Sequence, residues 1–163
     1  MAVTIVLALI MMALLFLMIW SATYFLPWSG LMKFFPEDIR DKAAGHQPPF
    51  PEAPRIGWIC LILCAAGMAG VILYAGWAGI QRGYTFKDFM IRFLVIFVGI
   101  KAFYIIALDY FLITKSHFFQ HYFPETEGCE GYHRFGYNKN QQIPRVIALP
   151  FLAVLAAWIC TKL

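Results

Sequence analysis

The chain opens "MAVTIVLALIMMALLFLMIW", and no charged side chain follows until Lys33. About 20 apolar residues in helical form cross the hydrocarbon of a bilayer. There every backbone polar group must bond within its own element. The run is too long for the apolar stretch of a signal peptide and has no basic start, so it reads as a retained span. Three more apolar runs follow, at 56–80, 89–113 and 143–161. They are continuous, whereas the strands of a membrane barrel alternate. The predicted fold is all-α: a single polytopic membrane domain and four-transmembrane-helix bundle, its first span at about 2–26. Only 13% of the residues are charged, about half the share in soluble domains. Trp20, Trp28, Trp58, Trp77 and Trp158 fall mostly near span ends, where aromatic belts form.

Four spans place the loops 33–55 and 114–142 on one side, and the turn 81–88 with both termini on the other. All four histidines, His46, His117, His121 and His133, then share a compartment. That side carries Lys33, Arg40, Lys42, Arg55, Lys115, Arg134, Lys139 and Arg145, against Arg82, Lys87, Arg92 and Lys162 opposite. Positive residues favour the cytoplasm, so both termini are expected outside and both large loops inside. No basic run stands out, which leaves a nucleic-acid partner without support.

The first loop holds "FFPEDIRDKAAG". Pro36 suits a first helical position, Glu37 and Asp38 a first turn and Gly45 a stop. A short interfacial helix is expected at 36–44, with Phe34, Phe35 and Ile39 toward the membrane. The prolines from Pro48 to Pro54 then predict a stiff, extended strap. In span two, Ala66 with Gly70 and Ala75 with Gly79 keep a small-xxx-small spacing that brings helices close. This face packs within the chain or joins a second copy in a homo-oligomer. Cys60, Cys64 and Cys160 lie inside spans and read as small packing residues.

Span three carries Arg92, Lys101 and Asp109. Arg92 is near enough to the surface to snorkel. Lys101 sits mid-run, where a charge costs about 3 kcal/mol on insertion scales. Intramembrane ionisable groups mark functional paths by default, so Lys101 and Asp109 are candidate catalytic or transport residues. Pro124 stops the helix, because the residue before a proline avoids helical geometry. The third helix is therefore expected to extend to about Phe123. At a 3.6-residue period that puts Asp109, Ser116, His117, Gln120 and His121 on one polar stripe.

His117 and His121 then stand one turn apart, and Cys129 and His133 follow on the next loop. Two imidazoles, a thiol and a third imidazole form a set that zinc accepts, and iron or copper would take it as well. Glu125 beside them is a candidate general base. The glutamate of HExxH metalloproteases is missing. There is no nucleotide loop, serine elbow or redox cysteine pair. The closing "RFGYNKNQQIP" offers basic and amide groups suited to lipid headgroups, or to an ordinary solvated loop.

These readings favour a membrane-embedded enzyme or metal-binding protein acting on a lipid or amphipathic substrate. A transporter or channel subunit using Lys101 and Asp109, and an assembly subunit of a larger membrane complex, are the alternatives.

Overall fold

The computed structural model describes residues 1–26, 35–136 and 138–163. Trp28, Lys33 and Phe34, named above, lie outside the described residues. The chain is an all-α membrane protein, 81% helical and without strands among the described residues. Four helical stretches there are long and apolar enough to cross a membrane. The long helices are α1 (Ala2–Phe25), α3 (Ala53–Ile80), α4 (Phe86–Phe103) and α6 (Lys139–Cys160). The short ones are α2 (Glu37–Lys42) and α5 (Phe118–Tyr122).

The spans match the apolar runs, and their ends are set by local chemistry. Pro54 belongs to the first turn of α3 rather than to the extended strap, since a missing N–H costs nothing there. Helix α4 starts at Phe86 because Thr85 and Asp88 form a capping box. The Thr85 amide and hydroxyl donate to Asp88 at 3.0 and 2.6 Å, and the Asp88 amide returns a bond at 3.4 Å.

The third helical stretch reaches Tyr122, but not as the uniform helix expected. After Phe103 it continues as a π-helix, Tyr104–Lys115. The Ser116 amide still bonds back five residues, to Phe111, at 2.8 Å. The Ser116 hydroxyl then donates to the Leu112 carbonyl at 2.8 Å and accepts from the Phe118 amide at 3.3 Å, so a new helix begins. A π-helix holds more residues per turn than an α-helix. The stripe computed at a 3.6-residue period from Asp109 to His121 therefore does not carry through.

The chain divides into two compact units. One comprises Met1–Leu15, Ala65–Phe103 and Lys139–Leu163, the other Phe16–Cys64 and Tyr104–Asn138. In the first, α4 packs on α6. Leu7 and Met11 of α1, Ala75 of α3, Phe89, Phe93 and Ile96 of α4, and Ala153 and Ala157 of α6 share one buried cluster. The small residues on α3 and α6 make room for the α4 rings. At Gly79 an added Cβ would overlap the Phe89 ring. The Ala75/Gly79 pair thus serves packing within the chain, whereas Ala66 and Gly70 lie on an exposed face. Leu63, Leu73, Trp77, Phe151 and Leu155 are also exposed. So much outward apolar surface suits lipid rather than water.

Arg92 does not snorkel. It is only 1% exposed. Its guanidinium donates to the Ala75 carbonyl at 2.7 Å and the Tyr84 hydroxyl at 2.8 Å, and it lies 4.3 Å from the Tyr84 ring centre. A buried cation needs such partners, because isolated burial would cost far more than the bonds return.

Candidate functional site

In the second unit, the two large loops fold onto each other. Phe35 and Ile39, expected to face lipid, are buried in protein instead. The Phe35 ring meets Phe119 edge-on at 4.7 Å and lies 6.5 Å from Tyr132. The reason is a polar clasp beside them. Asp38 Oδ2 accepts the Gly131 amide at 2.7 Å, and the Asp38 carbonyl accepts the Cys129 thiol at 3.6 Å. No side chain fits at Gly131: an added Cβ would lie 2.5 Å from Asp38 Oδ1 and 2.8 Å from Pro36 Cβ. Asp38 read as an ordinary first-turn carboxylate, and nothing in the sequence points to a partner 93 residues away.

Below the clasp, the buried Thr126 hydroxyl bonds the Phe123 carbonyl at 2.7 Å and the Tyr132 hydroxyl at 2.8 Å. Burial pushes the Tyr132 phenol up to about 12, because the phenolate would lose its water. His46 reaches across from the first loop. Its Nδ1 lies 2.8 Å from Glu125 Oε1, and its ring packs on Phe123 at 4.5 Å. The candidate base Glu125 is therefore held by the histidine that lies outside the predicted metal set.

The described members of that set do not converge. His117 is the exposed N-terminal flank of α5, where the π-helix has ended. His121 is exposed and packs on Tyr122 at 5.1 Å. Cys129 is buried with its thiol on Asp38, and His133 is exposed. Among the described residues, no group of three or more His, Cys, Asp or Glu is placed to hold a metal ion.

Asp109 is placed differently. It lies in the π-helical stretch and lines a half-open cleft with a cavity of about 30 Å³. Thr114 of the same stretch lines it too, with Arg134 and Asn138 from the loop. Phe35, Ile113 and Phe135 add apolar wall. Arg134 and Asn138 belong to the stretch read above as suited to headgroups, whereas Thr114 carried no signal. In the first unit, Lys101 donates to the Gln142 side-chain carbonyl. Gln142 is buried, and its amide nitrogen has no partner among the described residues.

No protein-family model matches this chain, and no curated protein or solved structure is similar to it. The geometry of the cleft and clasp therefore carries the functional argument.

Proposed function

We propose that the protein works at the membrane–water interface on a lipid or other amphipathic molecule, with the Asp109 cleft as its site. The observation that supports this most is the mixed lining of the cleft. Asp109 and Arg134 share it with four apolar residues, Phe35, Pro36, Ile113 and Phe135. Binding sites combine apolar walls with a few placed polar groups in this way. Asp109 is the acid–base group of the site. Arg134 holds an anionic group, as guanidinium forks do. The clasp keeps the loop bearing Arg134 folded.

Lipids co-purifying with the full chain in nanodiscs, identified by mass spectrometry, test the reading. The native protein should retain a particular amphiphile, and both Asp109→Asn and Arg134→Ala should lose it at unchanged melting temperature. The same lipid complement in all three samples would sink the proposal.

A further inference from the structure

We infer that the first turn of α6 is an oxyanion site, and that it takes the phosphate of a membrane lipid. The residues concerned, Lys101 and Lys139 to Gln142, belong to the first unit, and none of them lines the Asp109 cleft.

Gln142 supplies the telling group. It is 7% exposed, and its side-chain nitrogen is buried with no partner among the described residues. The orientation of this amide is fixed. An ammonium has donors and no acceptor, so the amide oxygen must be the atom that faces Lys101, which donates to it. The NH2 end is thereby turned away from Lys101. A buried donor left without an acceptor keeps its whole desolvation cost. Side chains lean toward the N-terminus of their helix. Gln142 is the fourth residue of α6, so its donor lies over the first turn.

The first turn fits the same ligand. The first four amides of a helix have no acceptor within it, and the helix dipole makes that end positive. Acidic side chains are favoured there, yet α6 has none in its first turn and none along its length. It opens instead with Lys139, a cation at the end where the dipole opposes one. A bound anion resolves both, because it offsets Lys139 and accepts from the amides and from Gln142. Phosphates bind at helix N-termini in this way. Lys139, Asn140 and Gln141 are exposed, so the turn is open to such a group. Helix α6 is long and apolar enough to cross a membrane, which sets its first turn at headgroup level. Basic residues beside a span end suit anionic lipids there.

The test uses the full-length chain in an uncharged detergent with three probes. These are dihexanoyl phosphatidic acid, dihexanoylglycerol and inorganic phosphate. Gln141–Gln142 is the chain's only pair of consecutive glutamines. Labelling glutamine with carbonyl-13C and 15N therefore isolates the Gln142 backbone amide by NMR. Its resonance should move with phosphatidic acid and stay still with dihexanoylglycerol. Inorganic phosphate should need about tenfold more, since the tail adds apolar contact. The response should persist in Arg134→Ala. By native mass spectrometry, Gln142→Glu should bind one phosphatidic acid about tenfold more weakly. That variant keeps an acceptor for Lys101 and replaces the orphan donor with a negative oxygen. Lys139→Ala should weaken the same binding about threefold.

A Gln142 resonance that ignores phosphatidic acid, or follows dihexanoylglycerol equally, overturns the inference, and this reading of the native chain decides even if Gln142→Glu does not fold. A folded Gln142→Glu with native binding overturns it too. If inorganic phosphate acts as strongly as the lipid, the oxyanion site stands and a soluble source replaces the membrane one. If the response vanishes in Arg134→Ala, the phosphate belongs to the cleft: the inference falls and the proposed function stands.

Discussion

The two compact units are held together by different means. In the first, packing does most of the work: phenylalanine rings of α4 lie against alanine and glycine positions of α3 and α6. Its buried cation, Arg92, bonds a backbone carbonyl and a tyrosine. In the second, a buried cluster of Phe35, Ile39, Phe119, Phe123 and Tyr132 is joined by directed bonds between and within the two long loops. The Asp38–Gly131 clasp, the Thr126–Tyr132 bond and the His46–Glu125 pair supply them. Helices already present their surfaces for packing, whereas irregular segments add polar pairs to their packed rings to fix their register.

That contrast can be broken experimentally. Arg92→Ala should have the largest effect, because it opens a cavity in the first unit. Truncating a large buried side chain costs about 2–5 kcal/mol. Thermal unfolding in detergent should report the loss, while protease cleavage in the loops at low temperature stays at the native rate. Equally accelerated loop cleavage would show that the two regions stand or fall together. Gly131→Val should come next, at about 1–3 kcal/mol for forcing volume into a filled site. Its signature is the converse: rapid loop cleavage with little change in the helical transition.

The smallest effect sharpens the comparison by pH. The Tyr132 phenol is pushed up to about 12 from its ordinary 10. A raised pKa in the folded state stabilises the loops fully below pH 10, and that contribution is lost as pH rises toward 12. Loop protection measured by cleavage rate should fall across this window in the native protein. Tyr132→Phe should cost about 1 kcal/mol at neutral pH, the net worth of one hydrogen bond, and should flatten the alkaline fall. An unchanged fall in the variant would assign it to another group.

The same contrast explains what was legible in the sequence. The four spans were, because each apolar run is long enough to cross a bilayer and too apolar to do much else. Which faces pack was not, since a helix apolar all round gives no inward side. The Ala75/Gly79 spacing was legible as a packing face, and it packs on Phe89. The end of the third helical stretch before Pro124 was legible from proline sterics, but the π-helical pitch from Tyr104 had no sequence cue. Asp109 stood out as an ionisable group in a span, and it does line the cleft. The His117, His121, Cys129 and His133 spacing assumed an unbroken helix and an outward thiol. Ser116 ends the first, and the Asp38 carbonyl takes the second.

The clasp also sets a clock. Asp38 and Gly131 are 93 residues apart, and ribosomes add about 5–20 residues each second. Once Asp38 has been made, about 5 to 20 seconds pass before its partner exists, with two more spans to be inserted meanwhile. Through that interval Phe35 and Ile39 have no Tyr132 or Gly131 to cover them. A ribosome stalled anywhere before residue 131 therefore leaves a half-made protein with a greasy, unclosed first loop.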